Sequence, residues 1–263
     1  MRGAGGNPWR FFPGGDVFMF NPRRMCRSLA DLLNLVLPPA CPLCGRESVR
    51  VGICSACFSG IHPVVSPCCP RCVLPYPTEE GTDHLCEACL RASPPFEWVR
   101  AAGVYEGALR QAVHHFKYRG AVDLDRPLGQ LLAATLKEPI PRFRPDLLVP
   151  VPLHKSRLRE RTYNQSLLLA KALGKEWRLP VAARHLLRVR ATSPQQGLNA
   201  QLRRANMKGA FALHRPLAGE KILLIDDVLT TGATAAECSR ILLEGGAGAV
   251  GVAVLGRARK DPY

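Results

Sequence analysis

The sequence of 263 residues lacks several features that would place it in a common class of protein. No run approaches the roughly 18 uncharged apolar residues that a membrane-spanning helix requires, and no continuous apolar segment of a secretory signal follows the N-terminus. No G-x-x-x-x-G-K-[ST] pattern occurs, which excludes a Walker-A site. Aromatic residues make up only 6% of the chain, so a long platform for stacking bases is not evident. We therefore expect a cytoplasmic protein.

The chain is strongly basic, with 36 Lys and Arg residues against 21 Asp and Glu residues and a formal net charge of +15. If eight cysteines bind two zinc ions as thiolates, each four-cysteine site carries about −2, and the net charge falls to about +11. This charge indicates either the use of Arg for solubility or a partner with many negative charges, such as a diphosphate or a nucleic acid. The sequence leaves both interpretations open.

The N-terminal residues 1–27 are rich in Gly, Pro and Arg and have no hydrophobic periodicity. We expect a disordered segment or a mis-assigned start, because Met25 begins a more ordinary sequence. Apolar residues from Leu29 to Val36 then recur with helical spacing, which predicts a short amphipathic helix over residues 28–39. Packing in the core is its expected use, and peripheral association with the inner membrane is the alternative.

Cysteine is frequent, with 11 residues, and eight of these form four C-x-x-C pairs. Such a pair places two thiolates on one tight knuckle, which suits tetrahedral zinc. The pairs are separated by nine residues in the first half and by thirteen in the second, which predicts a double zinc ribbon over residues 40–92 with two structural zinc ions. The predicted ligands are Cys41, Cys44, Cys54 and Cys57 for the first ion, and Cys69, Cys72, Cys86 and Cys89 for the second.

Three cysteines, Cys26, Cys68 and Cys238, lie outside these pairs. Cys68 is an alternative ligand to its neighbour Cys69, although Cys69 has the regular knuckle spacing. The paired spacing argues against a disulfide framework. Because this region has little aliphatic sequence, we expect zinc to hold it together, and contact with nucleic acid or gating of a substrate is the alternative role.

From residue 96 onward, predicted strands and helices alternate. The predicted strands are 98–105, 147–151, 221–225 and 249–255, with a further extended segment at 186–189, and the predicted helices are 107–118, 124–136, 163–177 and 233–243. Strands with continuous apolar sequence indicate a parallel sheet that is covered on both faces. We expect an α/β domain over residues 96–257, followed by a tail at 258–263.

The most specific pattern is ILLIDDVLTTGAT at Ile222–Thr234. Asp226 and Asp227 are expected to end a strand at the edge where parallel sheets bind ligands, and paired acids there suit ribose hydroxyls and a magnesium ion. The residues that follow offer amides and hydroxyls at the start of a helix, which suits a phosphate dianion. These predicted phosphate-binding residues are Thr230, Thr231, Gly232, Ala233 and Thr234.

This motif resembles the site for phosphoribosyl diphosphate (PRPP) in type I phosphoribosyltransferases. Together with CPLCG and the later C-x-x-C pairs, with FKYRG at Phe116–Gly120 and with VPVPLHKSRLRERTYNQ at Val149–Gln165, it resembles the ComF family over residues 29–257. This family is related to proteins of competence and gluconate utilisation. The resemblance implies a type I phosphoribosyltransferase fold with a central parallel sheet, preceded by a small double zinc ribbon, and a site for PRPP with Mg²⁺.

The resemblance also implies roles for individual residues. Asp226 and Asp227 would be the catalytic acids that hold the ribose. A basic loop at 154–161 would contact pyrophosphate, although a solvated loop is the alternative; its predicted members are His154, Lys155, Arg157, Arg159 and Arg161. Residues 190–206 would form a flexible loop over the substrate, with Gln195, Arg203, Arg204 and Asn206.

One position departs from the pattern of some purine-salvage enzymes. These place an acid three residues after the second motif acid as a general base, and Thr230 stands there in this chain. A purine base is therefore a less expected acceptor. Two functions stay open: a Mg²⁺-dependent phosphoribosyltransferase of unknown acceptor, and a non-catalytic accessory protein of DNA uptake that binds single-stranded DNA, contacts competence proteins and senses a ligand at the PRPP site. A purely structural zinc protein is a third alternative.

Overall fold

The computed structural model describes residues 40–47, 52–78, 80–192 and 200–259. The predicted N-terminal segment 1–27, the predicted helix 28–39 and the end of the predicted tail lie outside the described residues. Among the described helices, none is both long enough and apolar enough to cross a membrane.

The central element of the fold is a four-stranded parallel sheet. The described strands are β1 (Trp98–Val104), β2 (Leu147–Pro150), β3 (Leu186–Arg188), β4 (Phe211–Leu213), β5 (Lys221–Leu229) and β6 (Ala249–Arg257). The main sheet has the order β1-β6-β5-β2, and β3 and β4 form a separate antiparallel pair. The predicted α/β fold with a parallel sheet is therefore confirmed.

Helices connect these strands on both sides of the sheet. The described helices are α1 (Ser55–Ser59), α2 (Glu87–Arg91), α3 (Gly107–Tyr118), α4 (Asp125–Thr135), α5 (Pro139–Phe143), α6 (Lys155–Arg161), α7 (Gln165–Trp177), α8 (Ala200–Met207) and α9 (Ala233–Glu244). A 3-10 turn at Val122–Leu124 precedes α4. The four helices that were predicted agree with α3, α4, α7 and α9 to within two residues at each end.

The core lies on both faces of the sheet, and every residue of β6 is buried. Because successive side chains of a strand point to opposite faces, Val252 and Val254 join one apolar cluster, and Ala253 and Leu255 join another. The first cluster contains residues of α9, and the second contains residues of α3, α4 and α7. This burial explains why the strands have continuous apolar sequence.

The two cysteine modules join different clusters. Cys41 and Ile61 of the first module belong to the cluster with α3, and all four predicted ligands of the second module belong to the cluster with α9. The first module lies directly on β1, since a Cβ atom at Gly103 would stand 2.6 Å from the carbonyl oxygen of His62. Only glycine permits this approach. The zinc modules are thus parts of the core and not separate appendages.

Candidate functional site

The eight predicted zinc ligands form two clusters, in each of which the four sulfur atoms lie within 4.8 Å of one another. The Sγ atoms of Cys44 and Cys54 are 3.7 Å apart, as are those of Cys72 and Cys86. Four Zn–S bonds of about 2.3 Å in a tetrahedron give sulfur separations of about 3.8 Å, so the geometry fits zinc. None of the described cysteines forms a disulfide.

Cys68 lies outside the second cluster, which contains its neighbour Cys69. The backbone amide of Cys68 donates a hydrogen bond of 2.8 Å to Asp83 Oδ1, and burial raises the pKa of the Cys68 thiol to about 11. The geometry thus favours Cys69 over the alternative Cys68.

The two clusters differ in their exposure to solvent. In the first, Cys44 is exposed and Cys54 and Cys57 are partly exposed. In the second, all four cysteines are at most 8% exposed. The second cluster therefore excludes water from its ligands far better than the first does.

The acidic pair lies within β5, which extends to Leu229. The prediction that the strand ends at Ile225 was wrong, because β6 continues to pair with β5 as far as Leu229 and Arg257. On the other side, β2 pairs with β5 only as far as Pro150 and Ile225. Asp226 and Asp227 are thus the first residues of β5 beyond its pairing with β2. The sheet is open beside them at its carboxyl edge, which is where parallel sheets bind ligands.

Each acid has a buried partner from a different helix. Ser166 in the first turn of α7 donates a hydrogen bond of 3.0 Å to Asp226 Oδ1. The side chain of Asn164 caps α7 and also donates to the carbonyl oxygen of Val151 at 3.0 Å, which fixes this turn beside the end of β2. Lys117 Nζ lies 2.8 Å from Asp227 Oδ1, and these side chains are only 15% and 13% exposed.

These contacts set the charges of the site. Burial, and then the negative charge of Asp227, raise the pKa of Asp226 to about 7. Burial alone would lower the pKa of Lys117, but the charges of Asp227 and Asp226 raise it above its ordinary value. The site therefore combines a charged Lys117 with an Asp226 that is protonated below about neutral pH.

The raised pKa of Asp226 predicts that the free energy of unfolding depends on pH. Because the folded-state pKa lies above that of the unfolded chain, the stabilising neutral form is lost as the pH rises toward 7. Between pH 5.5 and pH 8, wild type should lose about 2 kcal/mol relative to Asp226→Asn. Urea denaturation of both proteins across this range measures the difference, and parallel pH profiles would contradict the raised pKa.

The loop after β5 leads into α9 through Gly232, which is the N-cap residue and has a φ of +79°. Glycine suits this left-handed conformation because it carries no Cβ atom. No side chain caps the helix from this position. The hydroxyl of Thr231 accepts the amide of Ala233 over a long distance of 3.5 Å, and the hydroxyl of Thr234 contacts Met207 Sδ. Thr230–Thr234 follow the acidic pair along the chain, and their role in binding a phosphate stays a prediction.

The predicted basic loop at 154–161 was wrong in its secondary structure, because Lys155–Arg161 form helix α6. The His154 side chain caps this helix by accepting the amide of Ser156, and Arg157 pairs with Glu160 at 2.7 Å one turn later. The segment contains no Gly or Pro, and Lys, Arg, Leu and Glu all favour helices.

Of the predicted pyrophosphate residues, Arg161 lies beside Lys117. Both line a cavity of about 430 Å³, together with Tyr118, Gly120, Glu160 and Thr162. The Arg161 guanidinium stacks 4.9 Å from the Tyr118 ring and donates to its hydroxyl at 3.1 Å. Lys155 and Arg159 are exposed on α6. The cavity thus joins the end of the basic helix to the acidic pair through Lys117.

The predicted flexible loop at 190–206 contains helix α8 in its second half. Gln195 lies outside the described residues, and the side chains of Arg203 and Arg204 are not described. The carbonyl oxygen of Asn206 accepts a hydrogen bond of 2.8 Å from Arg190. The role of this segment over a substrate stays a prediction.

Sequence reasoning missed two partners of the acidic pair, Lys117 and Ser166. Lys117 follows Val113 by four residues and therefore continues the buried face of α3, where a cation needs an acidic partner. Ser166 lies in the first turn of a helix that begins beside the end of β2. Recognising either residue as a partner requires the position of the neighbouring strand in space, and hydrophobic periodicity alone does not give that position.

The ion pair of Lys117 and Asp227 should contribute measurably to stability. Lys117→Met leaves a nearly buried carboxylate without its cation, and we expect the free energy of unfolding to fall by about 2–3 kcal/mol. In the double variant with Asp227→Asn, the second substitution should recover part of this loss, because the unpaired charge is removed. Urea denaturation of the two single variants and the double variant measures the coupling, and strictly additive losses would show that the pair does not interact.

Comparison with known proteins places these features in a family. Residues 32–90 match the double zinc ribbon domain. The chain is 36% identical to DNA utilization protein YhgH of Salmonella typhi over 83% of this chain and 96% of that protein. It is 32% identical to competence protein F of Haemophilus influenzae over 79% of this chain and 91% of that protein.

A solved structure of a purine phosphoribosyltransferase from Pyrococcus horikoshii is also similar, with a TM-score of 0.30 and 18% identity over 51% of this chain and 73% of that one. The two sequence matches cover nearly the whole length of these relatives and most of this chain. On these sequence matches, the chain belongs to the ComF family.

Proposed function

We propose that this protein binds PRPP at the carboxyl edge of β5. Asp226 and Asp227 hold the ribose hydroxyls, and the loop Thr230–Thr234 holds the 5′-phosphate at the N-terminus of α9. The observation that carries the proposal is the placement of a nearly buried acid pair directly before a glycine-capped helix start. Hydroxyl donors suit the acids, and a phosphate suits the amides at the start of α9 and the positive end of the helix dipole.

The diphosphate group belongs in the cavity between α3 and α6. Lys117 and Arg161 both line this cavity, and two partly buried cations attract a diphosphate more strongly than fully solvated ones do. Carboxylate oxygens are the ligands that Mg²⁺ prefers, so the acid pair fits the ion. Bound there, Mg²⁺ would supply positive charge that neutralises the diphosphate. Lys117 then exchanges its contact with Asp227 for contacts with phosphate oxygens.

Isothermal titration of PRPP in the presence of Mg²⁺ tests this proposal directly. We expect a single site, and weaker binding of ribose 5-phosphate and of inorganic pyrophosphate, because each of these ligands fills only one half of the site. Equal affinities for all three ligands would show non-specific anion binding. The absence of heat with PRPP at millimolar concentration would overturn the proposal.

Turnover distinguishes a transferase from a binding protein. In a transferase, Lys117 and Arg161 stabilise the negative charge that develops on departing pyrophosphate, while a nucleophile attacks the anomeric carbon. Thr230 cannot act as a general base, so an amine that attacks as a free base is a better acceptor than a purine. Release of pyrophosphate from PRPP, measured with amines, nucleobases and single-stranded DNA in turn, identifies the acceptor. No release with any of them leaves ligand sensing as the role of the site.

A second function, binding of single-stranded DNA, is favoured by the exposed cations of α6 and by the net charge of +15. The names of two relatives, DNA utilization protein and competence protein F, agree with it. Lys155 and Arg159 are exposed on this helix and are available to DNA phosphates. The aromatic content of 6% predicts contacts to phosphates more than to bases.

The salt dependence of DNA binding tests this second function. The logarithm of the affinity for an oligothymidylate should fall linearly with the logarithm of the salt concentration. Lys155→Ala combined with Arg159→Ala should reduce the slope by about 1.4, since each phosphate contact on single-stranded DNA contributes about 0.7. Lys171→Ala combined with Lys175→Ala, at two exposed positions of α7, serves as a charge-matched control. An affinity that does not change with salt would exclude phosphate contacts.

A further inference from the structure

The side chain of Arg257, at the end of β6, joins the second zinc ribbon to the loop after β5. It is 4% exposed and is the one charged side chain in the described ranges that is fully buried. A buried cation without partners strongly destabilises the fold, so the contacts of Arg257 indicate which parts of the structure it holds together. These contacts lie in two directions.

On one side, Arg257 contacts the zinc knuckle. Its Nε atom donates a hydrogen bond of 2.9 Å to the carbonyl oxygen of Cys72, and one terminal nitrogen lies 3.7 Å from Cys72 Sγ. Four thiolates around one zinc ion carry a net charge of about −2, which makes this cluster a suitable counter-charge for a buried guanidinium. The sulfur arrangement fits that ion.

On the other side, Arg257 contacts the loop that leads to the phosphate-binding residues. Its second terminal nitrogen donates to the carbonyl oxygens of Leu229 at 3.1 Å and Thr230 at 2.5 Å. In a planar trans peptide the N–H group points away from the C=O group of the same unit. Holding these two carbonyls toward Arg257 therefore directs the amides of Thr230 and Thr231 away from it.

We infer that Arg257 is a positioning residue that makes the conformation of the phosphate loop depend on zinc in the second ribbon. The inference rests on the proposed PRPP site for its ligand. When four thiolates bind zinc, the guanidinium is fixed between Cys72 and the two loop carbonyls. When zinc is lost, the knuckle that presents the carbonyl oxygen and the sulfur of Cys72 is no longer held, so Arg257 loses its contacts on that side. The carbonyls of Leu229 and Thr230 are then released, and the amides no longer converge on phosphate.

The first test replaces Arg257 and follows both the loop and its ligand. In Arg257→Met, backbone amides of residues 229–234 should exchange hydrogen about tenfold faster than in wild type, with two zinc ions retained per chain. Affinity for ribose 5-phosphate should fall about tenfold, while that for inorganic pyrophosphate, which does not need this loop, should stay unchanged. Arg257→Lys keeps the charge but cannot reach both sides, so it should resemble Arg257→Met.

The second test removes one zinc ion at a time from the full-length protein. Cys86→Ser in the second cluster should increase amide exchange at residues 229–234, and Cys44→Ser in the first cluster should not. Wild-type protection of these amides in Arg257→Met, or in Cys86→Ser with one zinc ion per chain, would overturn the inference. Since exchange needs no ligand, a wild type that does not bind PRPP would overturn the proposed function alone.

Discussion

Replacement of both acids, Asp226→Asn with Asp227→Asn, should abolish measurable binding of PRPP. Each substitution removes a charge-assisted hydrogen bond to a ribose hydroxyl, which contributes about 1.5–3 kcal/mol, and two such losses weaken binding by at least about 100-fold. The amide side chains keep the size of the originals, so the effect reports charge and not volume. Isothermal titration with Mg²⁺ present measures it.

The matched control for this experiment lies at the opposite edge of the same strand pair. Asp146 precedes β2 and accepts the amide of Lys221 at 2.8 Å, far from the carboxyl edge. Asp146→Asn should bind PRPP like wild type, even if its stability falls slightly. Wild-type affinity of the double variant for PRPP would show that the two acids do not bind this ligand. Equal losses of affinity in the double variant and in Asp146→Asn would indicate a general effect of reduced stability.

Cys69→Ser should lose one zinc ion per chain and lower Tm by about 10 °C. All four cysteines of the second cluster are buried in the larger core, together with Phe96 and Val254. Zinc binding supplies roughly 10–16 kcal/mol to small modules, and loss of even a third of that in a chain of this size lowers Tm by about 10 °C. Zinc content by mass spectrometry and Tm by calorimetry measure the two effects.

The neighbouring residue provides the control. Cys68→Ser makes the same replacement of sulfur by oxygen one residue earlier. Because Cys68 lies outside the cluster, both zinc ions should be retained. Its Tm should change by less than about 3 °C. If Cys68→Ser lost zinc and Cys69→Ser kept it, the ligand assignment would be reversed, and the knuckle would have an irregular spacing.

The parts of the fold that sequence predicted well are those that local pattern determines. Continuous apolar strands and the paired cysteines each carry their information within a few residues. The same holds for Asp226–Thr234, where the acids, the threonines and Gly232 follow one another along the chain. Tertiary contacts refined these elements at their ends, as when pairing with β6 extended β5 to Leu229.

The contacts that sequence did not predict join distant parts of the chain. Lys117 and Asp227 are separated by 110 residues, and Arg257 and Cys72 by 185. No periodicity relates such positions, because their distance depends on the order of strands in the sheet. The loop predicted at 154–161 was wrong for a different reason. The segment was interpreted from its charge alone, although its residues also favour a helix, which is a local signal.

The strand order has a consequence for the synthesis of the protein. β5 and β6, the two inner strands, are the last strands to leave the ribosome, whereas the outer strands β1 and β2 leave it first. Until then β1 lacks its partner β6 and β2 lacks its partner β5, although β2 can already form its bridge to Val181. At about 5–20 residues per second, β1 waits on the order of ten seconds for its partner β6. The cysteine pairs, by contrast, can capture zinc early, so the nascent chain exposes its apolar outer strands while its metal sites are already closed.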